Sequence, residues 1–274
     1  MSAADAVTND AVTTDPATTD PERAPGEHGV GGPAGEAHVE ELRAETAEAV
    51  HRHVVVAVDG PAGSGKSSVS RASAQALGFD YQDTGAAYRA FAWHALETDV
   101  DLDDADAIVA ALPSFRYVIG IDSAHASSVT VDGVDVTDEI RTPRVTTAVS
   151  HVAKVPEVRR FMVDLFRRII ASTDKPGIVT EGRDITTVVA PDAQVRILLT
   201  ATEAARMARR SAEVTGQSAE ETARQLSTRD RLDSKVVDFM TAAPGVSTVD
   251  STHLDFDQTV QAVVELVRAS TPIS

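Results

Sequence analysis

The chain has 274 residues and a formal net charge of −17, so it could hold one large domain or two small ones. The acidic balance argues against nonspecific nucleic-acid binding, which needs a basic face. The absence of cysteine excludes disulfides and thiolate chemistry, and no apolar run approaches the roughly 20 residues that cross a bilayer. Because the N-terminus also lacks the pattern of a secretory signal, we expect a cytoplasmic protein.

Residues 1–52 differ in composition from the rest of the chain. They contain 11 acidic residues, 3 arginines and no aromatic residue. Such a segment cannot bury enough apolar surface to offset the entropy lost on ordering. We therefore predict a disordered acidic tail, with at most a nascent helix over Glu36–Val50, followed by one domain over residues 53–274.

Apolar runs and helical patterns alternate along this domain. The run Val54–Val58 predicts a buried parallel strand, and a helical pattern extends from the following glycine-rich turn to Leu77. Pro156 opens another predicted helix, and Asp255 is the predicted cap of the last one. The alternation predicts an α/β fold in three layers with a parallel central sheet. The further predicted strands are Gly177–Thr180, Val195–Leu199 and Val246–Val249.

One segment interrupts this alternation. Phe115–Asp122 and Ser127–Val136 resemble strands of a hairpin or small meander, with Asp132-Gly133 as a turn. We predict a small β/α subdomain inserted into the main one over about residues 100–172.

The segment Gly60–Ser67 matches the motif G-x-x-x-x-G-K-[ST] in full. Glycines let the backbone wrap around a phosphate, so that N–H groups and the N-terminus of the next helix face the anion. In this motif Lys66 reaches the β- and γ-phosphates, and the Ser67 hydroxyl is a Mg²⁺ ligand. The alternative is a glycine-rich turn without a ligand, but the strand before it and the helix after it favour a nucleotide site.

Arginines at polar turns narrow the classes of nucleotide-binding protein. GTPases, motors, ABC-type ATPases and small-molecule kinases all use such a loop, and the missing Asn-Lys-x-Asp motif counts against a GTPase. Phosphoryl transfer between nucleotides needs positioning and charge neutralisation, to which the forked guanidinium is suited. Arg183 is the strongest candidate, because it follows a predicted buried strand at the ligand-binding edge of the sheet. Solvated helix faces account for Arg160, Arg167, Arg168 and Arg224.

The order of these motifs resembles the bacterial cytidylate kinases over about residues 54–267. The resemblance rests on the phosphate loop, Asp83-Thr84-Gly85 with Tyr88-Arg89, Glu139-Ile140-Arg141, Ser150, Val158-Arg159, Gly182-Arg183-Asp184, Arg229-Asp230 with Asp233-Ser234, and Asp250-Ser251-Thr252. It implies a monomeric P-loop kinase with a monophosphate-binding insert and a helical lid over about residues 203–235. The implied reaction transfers the γ-phosphoryl of ATP to CMP or dCMP with Mg²⁺.

The resemblance also implies a role for each matched residue. Catalytic roles fall on Lys66, Arg183, Arg229 and Asp233. The residues implied to bind ATP are Gly60, Pro61, Ala62, Gly63, Ser64, Gly65, Lys66, Ser67, Ser68, Arg206, Arg209 and Arg210. Those implied to bind CMP are Asp83, Thr84, Tyr88, Arg89, Arg141, Ser150, Arg159, Arg183, Asp184 and Asp233.

The sequence departs from the family pattern at two positions. Thr186 stands where the family has glycine, and we expect it to restrict that turn. Val236 stands where the family has arginine, with Lys235 beside it. Two alternatives therefore stay open, a kinase of another small acceptor and a nucleotide-binding regulatory module with little turnover.

The substitution Val236→Arg tests the second departure. Because a charge-assisted contact contributes about 1.5–3 kcal/mol, restoring one should raise kcat/KM for CMP several-fold in a coupled ADP-release assay. Lys235→Ala is the companion variant, since a large loss would show that Lys235 already substitutes. No gain from the first variant and no loss from the second would contradict the alignment of this segment.

Overall fold

The computed structural model describes residues 6–8, 53–125, 127–213, 230–231 and 237–271. Its strands are β1 (Ala6–Thr8), β2 (Val54–Asp59), β3 (Asp80–Asp83), β4 (Tyr117–Gly120), β5 (Val129–Val131), β6 (Val134–Asp135), β7 (Gly177–Gly182), β8 (Val195–Thr200) and β9 (Ser247–Asp250). Its helices are α1 (Lys66–Leu77), α2 (Thr84–Glu97), α3 (Ala105–Ala110), α4 (Pro143–Ala153), α5 (Pro156–Ala171), α6 (Glu203–Glu213) and α7 (Phe256–Ser270). Within these ranges, no helix combines the length and apolarity of a membrane span.

The central sheet has five parallel strands in the order β3-β7-β2-β8-β9. Strands β2, β7 and β8 begin at the predicted residues, and β9 begins at Ser247, one residue after the predicted start. Strand β3 was not predicted, because its sequence Asp-Tyr-Gln-Asp is polar although all four residues are buried. The parallel sheet and its covering helices confirm the predicted α/β class.

Two apolar cores lie on opposite faces of the sheet. Val56 and Val58 of β2 pack with Val69 of α1 and Val263 of α7. Ala57, which points the other way, belongs to the core shared by α2, α4, α5 and the small sheet. Because both faces are covered, β2 is apolar from Val54 to Val58. Its last residue, Asp59, is polar and buried.

The small sheet is antiparallel, with the strand order β1-β4-β5-β6. The predicted strand Ser127–Val136 divides at Asp132-Gly133, where both residues have positive φ, 52° and 79°. This combination favours the tight type I′ turn that matches strand twist. The structure therefore confirms the predicted meander. The subdomain boundary at about residues 100–172 stays a prediction.

Two predicted helix starts are confirmed. Pro156 is the first residue of α5, where its missing N–H has no helical partner to lose. Asp255 caps α7, accepting a hydrogen bond from the Gln258 N–H while the Gln258 side chain accepts one from the Asp255 N–H. This reciprocal capping box satisfies two backbone donors at once.

The N-terminal segment contributes one short strand that composition did not predict. Strand β1 pairs with β4, with Ala6 opposite Gly120 and Thr8 opposite Val118. The prediction of a tail without regular structure is therefore incorrect at these three residues. A sheet edge binds backbone groups, so a segment without large apolar side chains can still pair there. The predicted helix over Glu36–Val50 lies outside the described residues.

The contact between Gly177 and Phe79 offers a test of the packing beneath the sheet. A Cβ on Gly177 would lie 2.5–2.7 Å from three atoms of the Phe79 ring, which is completely buried. Gly177→Ala should therefore lower the free energy of unfolding by about 1–3 kcal/mol in denaturant titration. Phe79→Leu makes room for the methyl group, so the added cost of Gly177→Ala should shrink in that background. An equal cost in both backgrounds would contradict the clash.

Candidate active site

The phosphate loop joins β2 to α1, and its glycines occupy positions that other residues would not fit. Gly63 and Gly65 have φ of 75° and 85°, in the left-handed region that favours glycine. At Gly60, a Cβ would lie 2.1 Å from the carbonyl oxygen of Leu199 on β8. The motif glycines therefore meet two backbone requirements, left-handed φ angles and a close approach to the neighbouring strand.

A cavity of about 440 Å³ opens above this loop, and we call it the loop cavity. Its lining residues are Ala62, Gly63, Gly65, Lys66, Ser67, Ser68, Asp83, Arg89, Arg141, Thr146, Arg183 and Arg210. Five of these residues are cationic and one is acidic, in a chain with a net charge of −17. This concentration of positive charge fits an anionic ligand.

A second cavity, of about 470 Å³, lies beside the first, and we call it the helix cavity because much of its wall comes from α2 and α4. Its lining residues include Thr84, Tyr88, Ser150, His151, Lys154, Arg159, Glu181, Asp184 and Val237. Five residues, Lys66, Ser67, Asp83, Arg89 and Arg183, line both cavities. Ligands in the two cavities would therefore meet at these five residues.

Asp83 connects the end of β3 to the start of α2. One carboxylate oxygen accepts a hydrogen bond from the Ala86 N–H at 3.0 Å and so caps the helix. The other carboxylate oxygen lies 2.7 Å from Nη2 of Arg89. Burial acts to raise the pKa of Asp83, but the charges of Arg89 and Arg141 outweigh it, so the net shift of that pKa is downward. Asp83 therefore stays ionised and holds Arg89 at the boundary of both cavities.

A second ion pair closes the far side of the helix cavity. Nη2 of Arg159 lies 2.5 Å from Oδ2 of Asp184. Burial raises the pKa of Asp184, and the Arg159 charge offsets part of that rise. Tyr88 lines the same cavity and packs edge-on against Phe166, with ring centroids 6.0 Å apart. Charged and aromatic side chains thus line the same cavity.

Glu181, next to the end of β7, faces the first turn of α1. Its Oε1 accepts a hydrogen bond from the Ser67 hydroxyl at 2.7 Å, and its Oε2 lies 3.4 Å from Nζ of Lys66. Glu181 is only 3% exposed, and the Tyr81 hydroxyl also donates to its Oε1 at 3.4 Å. No role was predicted for Glu181 from the sequence.

Asp59 anchors the turn that follows β7. Its carboxylate accepts hydrogen bonds from the Ile185 N–H at 2.9 Å, the Thr186 N–H at 2.8 Å and the Thr186 hydroxyl at 2.6 Å. Burial raises the pKa of Asp59, although the Thr186 hydrogen bonds act to lower it. Among the described residues other than glycine, only Asp99 and Asp132 have positive φ. Thr186 therefore does not strain the turn, and its hydroxyl supports it.

Arg206 and Arg209, which are expected to bind ATP, lie outside the two cavities. Arg206 is 7% exposed, donates to the Ala62 carbonyl at 2.7 Å and pairs with Asp230 at 2.5 Å. Arg209 donates to the carbonyl of Ser64 at 3.3 Å and to the Ser251 hydroxyl at 2.9 Å. Neither arginine lines the loop cavity or the helix cavity, and their expected contact with ATP stays a prediction. Arg210 does line the loop cavity.

Most of the remaining predicted site residues lie together. The predicted CMP-binding residues of the described chain line one cavity or both, and so do Ala62, Gly63, Gly65, Lys66, Ser67 and Ser68 of the loop. Gly60, Pro61 and Ser64 support the loop from outside the cavities. Arg229 and Asp233 lie outside the described residues, as do Lys235 and Val236.

Besides Glu181, three residues without a predicted role contribute to the site. Asp59 and Asp230 hold backbone groups of the two turns that flank it, and the Phe239 ring lies 5.0 Å from the guanidinium carbon of Arg183. Asp59 follows a predicted buried strand, as Arg183 does, so its position signalled a polar group at the same edge of the sheet. No comparable signal marks Phe239.

A parallel sheet with a phosphate loop after its central strand, and cationic cavities beside that loop, defines a P-loop phosphotransferase. Residues 56–269 match the family model described as cytidylate kinase. The chain belongs to this family and is an ATP-dependent nucleoside-monophosphate kinase.

Several relatives support this membership. The chain is 45% identical over 223 residues to a cytidylate kinase of Streptomyces griseus, covering 81% of this chain and 96% of that one. It is 46% identical over 218 residues to a cytidylate kinase of Cutibacterium acnes, covering 78% and 96% of the two chains. A bifunctional pantoate ligase/cytidylate kinase of Synechococcus is 40% identical over 224 residues, which cover 79% of this chain and 41% of that protein.

The hydrogen bond from Thr186 to Asp59 gives a prediction. Thr186→Val keeps the shape of the side chain but removes the hydroxyl, leaving a buried carboxylate one donor short. The free energy of unfolding should fall by about 1–3 kcal/mol in denaturant titration. Thr186→Ser retains the hydroxyl and is the matched control. If serine costs as much as valine, the methyl contacts matter and the hydrogen bond does not.

Proposed function

We propose that the chain transfers the γ-phosphoryl group of ATP to CMP or dCMP, producing ADP with CDP or dCDP. Membership of the cytidylate kinase family supports this reaction. The observation that carries the proposal is that the loop cavity and the helix cavity share five side chains. A phosphate donor on the loop and an acceptor in the helix cavity would meet at those side chains.

We assign the donor to the loop cavity. Backbone N–H groups of Gly63 to Ser68 and the N-terminus of α1 suit the phosphates of ATP. Lys66 supplies a positive charge where the β- and γ-phosphates would lie. Of the three lid arginines expected to bind ATP, Arg210 is the one that lines this cavity, and we propose that it contacts the phosphates.

The residues around Ser67 fit the Mg²⁺ ion that such a reaction uses. Magnesium prefers hard oxygen ligands and commonly binds one or two protein oxygens together with substrate phosphates. The Ser67 hydroxyl and the Glu181 carboxylate are 2.7 Å apart, and both line the helix cavity. We propose that Ser67 holds the ion with Glu181 beside it. The ion would neutralise charge on the phosphates.

We assign the acceptor to the helix cavity. Arg89 and Arg183 line both cavities and Arg141 lines the loop cavity. These three arginines would hold the phosphate of CMP where the two cavities meet. Ser150, Arg159 and Asp184 line the helix cavity and not the loop cavity, and they would face the base or ribose. Tyr88 and Thr84 complete the wall. The Asp83–Arg89 and Asp184–Arg159 pairs fix these arginines before the nucleotide arrives.

The chemical step then needs little covalent help from the protein. A phosphate oxygen of CMP, already ionised near neutral pH, attacks the γ-phosphorus while the bond to the bridging oxygen of ADP breaks. Lys66 and Arg183 stabilise the charge on the transferring group, and the loop keeps the attacking and leaving oxygens in line. No side chain has to accept a proton from the nucleophile.

Other parts of this assignment rest on the family resemblance. We propose a lid over about residues 203–235, in which Arg229 and Asp233 have catalytic roles and Asp233 also contacts CMP. We propose that about residues 100–172 form the acceptor-binding insert and that the protein acts as a cytoplasmic monomer.

An acceptor panel tests the function. With ATP and Mg²⁺, we expect ADP release with CMP and dCMP and much weaker release with UMP, AMP and small-molecule acceptors. Preference for another acceptor would identify a different kinase. Binding of CMP by calorimetry without ADP release would identify a regulatory module in place of an enzyme.

Replacing the loop lysine tests the catalytic assignment. Lys66→Ala should lower kcat by about 10²- to 10³-fold, because one charge on the transferring phosphoryl is lost. Binding of CMP alone should change little, since the acceptor phosphate has three arginines of its own, and thermal melting should show a folded protein. A folded variant with near-normal kcat would remove Lys66, and with it this loop, from catalysis.

A further inference from the structure

The carbonyl groups of every second residue from Gly60 to Ser64 accept hydrogen bonds from arginines. Arg183 donates to Gly60 at 2.9 Å, Arg206 to Ala62 at 2.7 Å and Arg209 to Ser64 at 3.3 Å. Arg183 lines both cavities, whereas Arg206 and Arg209 line neither. The last two guanidinium groups therefore approach the loop from behind, on the side away from the nucleotide site.

The geometry of the peptide group also determines where the N–H groups of the loop point. In a trans peptide the C=O and the following N–H point in opposite directions, and the described residues contain no cis peptide. The Ala62 carbonyl belongs to the same peptide as the Gly63 N–H, and the Ser64 carbonyl to the same peptide as the Gly65 N–H. Gly63 and Gly65 both line the loop cavity, so arginines behind the loop hold N–H groups toward its front.

Arg206 is itself held by Asp230. Asp230 accepts the Ala62 N–H through Oδ1 at 2.9 Å and pairs with Arg206 through Oδ2 at 2.5 Å. The arginine and the aspartate together thus bind both backbone groups of one loop residue. Arg206 and Asp230 are 7% and 8% exposed, and a charge-assisted pair in such surroundings has a defined geometry. Arg209 is held by neutral groups, the Ser251 hydroxyl at 2.9 Å and the Leu254 carbonyl at 3.2 Å.

We propose that Arg206, with Asp230, and Arg209 are positioning residues that act on ATP through the peptide groups of the phosphate loop. Each guanidinium fixes a peptide plane and polarises it, so that the N–H on the other side is a stronger donor to phosphate. Arg183 cannot act in this way at Gly60, because the next residue is Pro61 and that peptide has no N–H. The inference rests on the proposed use of ATP at this loop.

The rival explanation is that these arginines leave the loop and contact ATP directly. The two explanations predict opposite effects for Asp230→Ala. If Arg206 positions the loop, removing its anchor should raise the Kd of ATP by about 3- to 10-fold, the effect of one or two lost hydrogen bonds. If Arg206 contacts ATP directly, the same substitution frees it, and the Kd should stay the same or fall. Arg206→Met should weaken ATP binding under both explanations, so it does not distinguish between them.

The experiment measures ATP binding by calorimetry with Mg²⁺ and without CMP, and KM for both substrates in the coupled assay. We expect Asp230→Ala to raise the Kd and KM for ATP and to leave KM for CMP within about twofold, as for a site without contact to CMP. Arg116→Met is the matched control, because it removes a guanidinium that donates to the Pro113 carbonyl on an exposed surface. It should leave ATP binding unchanged.

A further variant covers the case in which Asp230→Ala does not fold. Asp230→Asn keeps an acceptor for the Ala62 N–H and removes the charge that fixes Arg206, so it should raise the Kd of ATP by a smaller factor. An unchanged or lower Kd in a folded Asp230 variant would overturn the proposal. A failed acceptor panel would contradict the proposed reaction. The Kd of ATP would still test the role of Asp230, because it is measured without CMP.

Discussion

Positive charge crowded around a half-buried cleft is the constraint that the rest of this structure satisfies. Several cations line or back the two cavities, in a protein that is acidic as a whole. Ion pairs compensate four of them, namely Lys66–Glu181, Arg89–Asp83, Arg159–Asp184 and Arg206–Asp230. A buried charge without a partner is strongly destabilising, so each of these acids is part of the site, although it would repel the phosphates of a nucleotide.

The fold places these acids where the pairs require them. Asp83 and Glu181 lie at the same edge of the parallel sheet, on β3 and β7. Asp59, which binds the turn after β7 and no cation, ends the next strand, β2. In the register, Asp83 is opposite Glu181 and Asp59 is opposite Gly182. Parallel strands bring their C-terminal ends together, so residues far apart in sequence meet without a long loop.

Much of this arrangement could be predicted from sequence, and the exceptions have a physical cause. The strands β2, β7 and β8 are apolar because both faces are covered, so they were predicted close to their observed ends. Strand β3 was missed, because its side chains bind other polar groups and its sequence resembles a loop. Its Thr173–Asp80 and Thr180–Gln82 hydrogen bonds join residues more than 90 positions apart. Periodicity reports which face is apolar and not which distant polar group satisfies a buried one.

The arginines show the same limit. The family resemblance implies that Arg206, Arg209 and Arg210 all bind ATP. Of these three arginines, Arg210 alone lines the loop cavity. The other two donate hydrogen bonds to carbonyl groups on the outer side of the loop. A loop that turns its N–H groups toward a phosphate necessarily turns carbonyl groups away from it, and buried carbonyls need donors of their own. A kinase loop of this kind therefore requires two sets of donors, its own amides for the nucleotide and side chains behind it for its carbonyls, and arginine can serve in either set.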